Sequence, residues 1–293
     1  MISDVQMTVV VENQSSHPEL CSEHGLALWI CADGFRILFD TGGGACLLGN
    51  AARLGIDLGS ADAIVLSHGH RDHTGGLAQA LRLCPEAPVF FHPEALFPRF
   101  SIRGDEPRSI GMPVEAAAQL RPPRARSSGL PQSVCPGIVC TGTIPRCPGQ
   151  HPSDPGLFRD ATGMRPDPLL DDQALVIETE GGLVVITGCC HAGIEPTLRV
   201  VHALRPNARI AALVGGLHLR GCDPAAQRMH LAALQRYGVG QVVAGHCTGA
   251  SAEALLAREA LCQFAPLRGV ERWVLNGRAL ARSESEPVPA MPQ

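Results

Sequence analysis

Lysine is absent from this 293-residue chain: all 24 positions counted as Lys+Arg are arginine, so no lysine can serve as base, nucleophile or phosphate clamp. Positive charge is scarce too, with 28 acidic residues, a net charge of −4 and a pI near 6.3. Nucleic acid and membrane surfaces are therefore not expected as partners, because both need a Lys/Arg stripe. No apolar run approaches the roughly 18 residues needed to span a bilayer. The opening MISDVQMTVVVENQSS has no basic segment followed by an apolar one, so no signal peptide is expected and the chain is read as cytoplasmic. Its twelve cysteines are scattered, and in that compartment they are expected mostly as reduced thiols. Cys135, Cys140 and Cys147 lack the close C-x-x-C pairing of a zinc ribbon.

What is present is core material: hydrophobic residues make up 45% of the chain and charged residues 18%. Val5–Val11, Leu26–Cys31 and Phe35–Phe39 read as strands, the last two joined by the hairpin signal Ala32-Asp33-Gly34. Cys46–Leu54 reads as a short helix, Ile64–Leu66 as a buried strand, and Thr74 as the N-cap of a helix through Leu83. Val89–Phe91 is another strand. Residues 97–170 are rich in Pro, Arg, Gly and Ser and carry one clear strand, Gly137–Thr141, so a lid-like insertion is expected there. Order returns with strands Ala174–Thr179 and Leu183–Thr187. Helix Glu195–Leu204, strand Ile210–Val214, helix Ala225–Tyr237, strand Val242–Ala244, helix Ala252–Cys262 and a strand near Trp273–Leu275 follow. A polar tail occupies about 284–293. Hairpins early and strand–helix alternation late suit two packed sheets with helices outside, in one domain over 1–293.

The chemistry concentrates in Ser67-His68-Gly69-His70-Arg71-Asp72-His73-Thr74-Gly75-Gly76. Imidazoles at i and i+2 just past a buried strand can point at one centre, and Gly69 is expected to give the backbone its bend. Asp72 and His73 supply an oxygen and a nitrogen for a neighbouring site. His/Asp ligation suits zinc, with iron or manganese as alternatives. His246, in Ala244-Gly245-His246-Cys247-Thr248-Gly249, directly follows an apolar strand. His218, in Gly215-Gly216-Leu217-His218-Leu219, is placed to face the same cleft as a substrate or catalytic group, or else to pack. His92 and His24 read rather as structural histidines, and His17, His151, His202 and His230 as surface or helix-face residues. Cys247 reads as packing.

The HGHRDH run matches the H-x-H-x-D-H signature of the metallo-β-lactamase superfamily, and Phe39-Asp40-Thr41-Gly42 resembles the strand-end aspartate that precedes it. NAARLGIDL, TGTIPR, DDQALVIETEGGLVVITGCCHAGI, VGGLHL and GHCTG are similar to the branch containing dihydropterin-ribofuranosylaminobenzene 5′-phosphate synthase-like proteins. The resemblance implies a mixed α/β, four-layer αββα sandwich. It implies a first metal site from His68, His70 and a later histidine, and a second from Asp72, His73 and His246. The departure is Thr187-Gly188-Cys189-Cys190-His191, where most of the superfamily has T-G-D with a bridging aspartate. Here Cys189 takes the aspartate's place. His191 is the preferred ligand and Cys189 at most a neighbour, which leaves one or two ions open. Asp171 and Asp172 lie where many relatives place another ligand.

A bound divalent ion lowers the pKa of its water from about 15.7 toward ~7 and makes hydroxide available to attack a phosphoryl or carbonyl centre. Asp72 would orient that group or accept its proton, Asp40 would fix imidazole tautomers, and arginines in 99–126 or 146–165 would bind a small anionic substrate. Hydrolysis of a small phosphorylated or ester-like molecule is the leading expectation. A pterin-type synthase forming C–C or C–N bonds on a phosphoribosyl substrate, and a non-catalytic metal-dependent binding or sensor protein, are the alternatives.

Overall fold

Strand 182–187 shows why the chain layers as it does. Successive side chains of a strand point to opposite faces, and here both faces are apolar: Val184 and Ile186 enter one buried cluster, Leu183 and Val185 another. A strand buried on both sides needs a sheet on one flank and helices on the other.

The computed structural model describes residues 1–104, 106–146, 156–259, 262–269, 271–276 and 279–283. In the first third, β1 (Val5–Val11), β2 (Ala27–Ala32) and β3 (Phe35–Phe39) form an antiparallel meander. β4 (Ala63–Val65) and β5 (Val89–Phe91) then add in parallel, with α1 (Leu47–Arg53), α2 (Arg71–Thr74) and α3 (Leu77–Leu83) in the connections. The middle holds β6 (Phe100–Ile102), β7 (Pro107–Ser109), α4 (Val114–Ala117), β8 (Ala125–Ser127), β9 (Gln132–Cys135), β10 (Ile138–Cys140) and β11 (Leu157–Phe158). The last part runs β12 (Ala174–Thr179), β13 (Gly182–Thr187), α5 (Ile194–Leu204), β14 (Ile210–Gly216), α6 (Pro224–Arg236), β15 (Gln241–Gly245) and α7 (Ala250–Glu259). Strands β16 (Gln263–Pro266), β17 (Arg272–Asn276) and β18 (Ala279–Ser283) close it.

One sheet has the order β18-β17-β1-β2-β3-β4-β5-β8 and the other β16-β15-β14-β13-β12-β10-β9; β11-β6-β7 form a small third sheet. Met7, Leu28, Ile37 and Val65 of the first sheet meet Ile177, Val184, Ile186 and Val214 of the second in a shared core. Outside the first sheet, Leu38 and Ile64 pack on Leu47 and Leu77; outside the second, Leu213 and Val242 pack on Leu198, Leu231 and Leu255. The layering is helix, sheet, sheet, helix, as expected. Burying one such Leu or Val contributes about 1.5–3 kcal/mol.

Two expectations need correction. Thr74 does not cap a helix through Leu83: it ends α2, donates its hydroxyl to the His70 carbonyl at 2.9 Å, and α3 starts after Gly76. Residues 97–170 carry several short strands rather than one. β8 extends the first sheet and β9–β10 the second, while part of the stretch, 105 and 147–155, lies outside the described residues. These strands escape sequence patterning because they are two to four residues long and partly solvent-facing; Pro107–Ser109 is exposed throughout. They form because a partner is there. The described cysteines are mostly free, as expected, with Cys21 and Cys46 disulfide-bonded; Cys147, like His151 and the 284–293 tail, falls outside the described residues. No helix among the described residues is long and apolar enough to cross a membrane.

Residues 103, 104 and 106–109 are exposed, whereas Arg99 is fully buried between Asp167 and Asp171. Limited trypsin digestion read by mass spectrometry is expected to cut after Arg103 or Arg108 before Arg99 or Arg159, because cleavage follows local opening. First cleavage at Arg99 would contradict this packing.

Candidate metal centre

Five strands deliver the site. β3 ends at Asp40, β4 runs into Ser67–His73, β13 into Gly188–His191, β14 into His218 and β15 into His246. β3 and β4 are parallel, as are β13, β14 and β15, so their carboxyl ends open on one edge where ligands of α/β sheets are commonly bound. Of seven non-glycine residues with positive φ among the described residues, four stand at these ends: Asp40 (57°), Cys190 (61°), His218 (51°) and His246 (53°). Each costs of order 1–3 kcal/mol, and such strain collects at functional sites.

Gly69 serves differently from the expectation. Its φ is not among the left-handed ones; instead a Cβ there would lie 2.3 Å from the Ala95 carbonyl oxygen. The turn between the two histidines needs glycine for close passage, not for bend.

Three donor groups form among the described residues, two of them begun by the HGHRDH run. His68, His70 and His191 are buried with their ligand atoms all within 4.8 Å of one another; so are Asp72, His73, Cys189 and His246, of which only Asp72 is not fully buried. In the first, His68 Nε2 lies 3.0 Å and His191 Nε2 3.2 Å from His70 Nδ1. In the second, His73 Nε2 and His246 Nε2 are 3.1 Å apart, Cys189 Sγ is 3.2 and 3.3 Å from them, and Asp72 Oδ2 is 3.6 and 3.5 Å away.

Outer hydrogen bonds assign the tautomers. The Ser67 hydroxyl donates to Asp40 Oδ2 at 2.6 Å, so its oxygen is left to accept from His68 Nδ1 at 2.9 Å. His68 Nε2 therefore presents a lone pair inward. His73 Nδ1 donates to Asp40 Oδ2 at 2.7 Å. His246 Nδ1 donates to Asn13 Oδ1 at 3.0 Å, while Asn13 Nδ2 donates to the His246 carbonyl at 3.1 Å and Glu12 accepts from the His246 amide.

This arrangement fits a cation. Burial drives the His68 and His191 rings well below their usual pKa, and burial plus the Arg99 guanidinium takes His70 down to about 4, so all three are neutral. Three neutral nitrogens facing one another share at most one hydrogen bond at His70 Nδ1, whereas a central cation satisfies all three. The outer atoms His70 Nε2 and His191 Nδ1 have no hydrogen-bond partner among the described residues. In the second group, burial pushes His73 down, but the Asp72 and Asp40 carboxylates hold it up to about 9. Those carboxylates call for positive charge at that point, and a metal would replace the ring proton.

The alternatives of Cys189 and His191 do not compete: the turn sends His191 into the first group and Cys189 into the second. Cys189 Sγ thus stands within 4.8 Å of the other ligand atoms of the second group. Asp171 and Asp172 belong to neither group. Asp171 accepts from the Gly69 amide at 2.7 Å and pairs with Arg99, and Asp172 accepts from the Ala192 amide at 2.8 Å. Each holds a backbone turn that carries histidines. His218 sits with its ring centroid 4.3 Å from that of His191, grouped with Cys189 and Cys247. His92 caps the turn after β5 by accepting from the Glu94 amide, as a structural histidine.

Sequence reasoning missed three residues. His24, read as structural, has Nε2 3.2 Å from Asp72 Oδ2, its ring stacks on His246 at 5.2 Å, and its side chain is 62% exposed. Asn13 and Arg220 both bind the His246 carbonyl, Arg220 at 2.7 Å. No local pattern marks Asn13 or His24, whose partner His246 is more than 200 positions away, or Arg220, which meets it across 26 positions. Among the expected arginines, Arg99 and Arg159 are occupied by Asp167, Asp171 and Glu94, whereas half-buried Arg146 donates to the His191 carbonyl at 2.6 Å and the Pro168 carbonyl at 3.1 Å.

Comparison with known proteins agrees with this architecture. A family profile described as the metallo-beta-lactamase superfamily matches residues 23–200. A Methanocaldococcus jannaschii protein named 7,8-dihydropterin-6-methyl-4-(beta-D-ribofuranosyl)-aminobenzene-5′-phosphate synthase is 32% identical over 81% of this chain and 85% of its own length. An uncharacterised protein of the same organism is 27% identical over 73% of this chain and 80% of its own. Among solved structures, Tm1679, described as a metal-dependent hydrolase of the beta-lactamase superfamily, superposes with a TM-score of 0.76 at 29% identity, covering 92% of this chain and 98% of that one.

Asp40 fixes donors in both groups, so Asp40→Asn is expected to lower metal affinity roughly 10–100-fold while leaving the circular dichroism spectrum unchanged. Equilibrium dialysis with elemental analysis measures it; undiminished affinity would remove Asp40 from its orienting role.

Proposed function

The chain belongs to the metallo-beta-lactamase superfamily, and we propose that it is a metal-dependent hydrolase acting on a small, anionic, phosphorylated or ester-like substrate. The observation that carries this reading is the pair of adjoining donor groups in which Asp72 alone reaches the surface. In it, His68, His70 and His191 would hold one ion, and Asp72, His73, His246 and Cys189 a second. Nitrogen donors with one sulfur suit zinc, and iron or manganese are the alternatives for the nitrogen–oxygen set.

When bound, a divalent ion supplies Lewis acidity and lowers the pKa of its water toward ~7. The protein's own part is to orient and to move protons. Asp72 Oδ2 would accept the proton of the attacking water, and His24, 3.2 Å away, would hold that carboxylate in place. His218 would face the substrate beside His191 as a catalytic group. With no lysine in the chain, Arg146 and Arg220, which donate to the His191 and His246 carbonyls, would be cations for the substrate, and their planar forks suit phosphate or carboxylate.

A second reading has one observation in its favour, the likeness to the Methanocaldococcus jannaschii protein named as a synthase. It would use the same donor groups for bond formation on a phosphoribosyl-bearing, pterin-type substrate. The two readings separate by substrate demand.

Metal-loaded protein is expected to turn over at least one class in a phosphodiester, phosphomonoester and lactone panel. His70→Ala is expected to lose most bound metal and to drop turnover roughly 100-fold or more, beyond the 10–100-fold typical of outer-shell changes. Full metal content in His70→Ala would sink the ligand assignment. A loaded wild type that ignores the panel but joins a dihydropterin to a phosphoribosyl arene would replace the hydrolase reading with the synthase one.

A further inference from the structure

A third group of donors adjoins the other two. The ligand atoms of Cys189, His218 and Cys247 lie within 4.8 Å of one another. Two are buried thiols, at 4% and 7% exposure, and His218 is half-buried. Cys247 has no part in the hydrolytic reading, and a ligand role for His218 would replace the substrate-facing one given to it there.

Three local features aim these side chains together. His218 and His246, which precedes Cys247, both take left-handed backbone conformations that residues with a Cβ rarely adopt. Gly216 has no side chain where one would collide: a Cβ there would be 2.5 Å from Cys247 Sγ and 3.3 Å from Cys189 Cα. The sulfur of Cys247 thus fills the space that a side chain at the end of β14 would occupy. That sulfur lies 3.4 Å from the Cys189 carbonyl and shares side-chain hydrogen bonds with Cys189 and His218.

We infer that Cys189, His218 and Cys247 form a further metal site for a thiophilic divalent ion such as zinc, with the Cys189 sulfur shared between it and the His73–His246 group. Thiolate and imidazole are the donors zinc prefers, and three protein ligands leave the fourth of its usual four positions open. A thiolate sulfur has lone pairs enough to face two ions, and Cys189 Sγ already stands 3.2 Å from His73 Nε2 on its other side. On binding, the Cys247 S–H bond breaks, its proton goes to solvent and its electron pair goes to the ion. No oxidation state changes and no co-reactant is needed.

The inference rests on the reading that the neighbouring groups hold divalent ions, but not on hydrolysis. Titrating the metal-free full chain with Co²⁺ is expected to show three bound equivalents and a thiolate-to-cobalt charge-transfer band whose intensity rises again with the third. Cys247→Ser and, separately, His218→Asn should each bind one equivalent fewer and lose that second rise. Cys31→Ser, a free thiol on β2, should leave both unchanged. Thermal melting of each variant verifies folding, and either of the two site variants suffices if the other unfolds. Saturation at two equivalents, with the band indifferent to Cys247→Ser, overturns the site. So does a Cys189–Cys247 disulfide found by mass spectrometry of the unreduced chain. Three bound ions with an inert substrate panel would instead sink the hydrolase reading and leave this site standing.

Discussion

One buried carboxylate holds the metal centre in register. Asp40, wholly inaccessible, accepts from the Ser67 amide and hydroxyl and from His73 Nδ1. Through Ser67 it sets which nitrogen of His68 points inward, and directly it sets His73, so one donor in each of the two main groups depends on it. Its left-handed backbone turns the carboxylate back over the end of β4. Removing one partner of such a buried pair typically costs about 3–5 kcal/mol, because the other is left uncompensated. The same crowding explains Gly188, where a Cβ would lie 2.0 Å from Ser67 Oγ and 3.0 Å from Asp40 Oδ2.

A second buried network does for the His68-Gly69-His70 turn what Asp40 does for the rings. Arg99 is enclosed between Asp167 and Asp171, and Asp171 also accepts from the Gly69 amide. A charge cluster of this kind adds little net stability over an apolar replacement, since desolvation offsets the attraction. Its value here is positional: the two histidines and the segment 97–111 are tied to one point. The Arg71 amide donates to the Ile110 carbonyl at 2.7 Å, which joins the small sheet region to the same turn.

The Gly188–His191 turn shows how a missing aspartate is accommodated. Where a bridging carboxylate would serve two ions, Cys189 and His191, two residues apart at the strand end, here place a thiol in one group and an imidazole in the other. The positive φ of Cys190 between them reverses the direction of the backbone, so side chains two residues apart diverge instead of sharing a face. Asp172, which burial raises to about 7, accepts from the Ala192 amide and holds the far side of the turn.

Local sequence determined much of this protein. The β-branched runs and their two-sided burial specified the two-sheet core, with boundaries at 35–39, 89–91 and 174–179 matching the observed strands. The spacing of His68, His70, Asp72 and His73 after a buried strand specified most of the donors, because strand ends and tight turns obey local rules. Tertiary structure alone decided what lies far apart along the chain. It brought His24 and Asn13 beside His246, gave Cys189 and His191 separate places, and gave Gly69 the role of close passage beneath Ala95. It also built short strands in 97–170 that carry no pattern of their own. The physical reason is common to all of them: each depends on a neighbour supplied by another strand or loop, and neither periodicity nor residue type encodes which neighbour arrives.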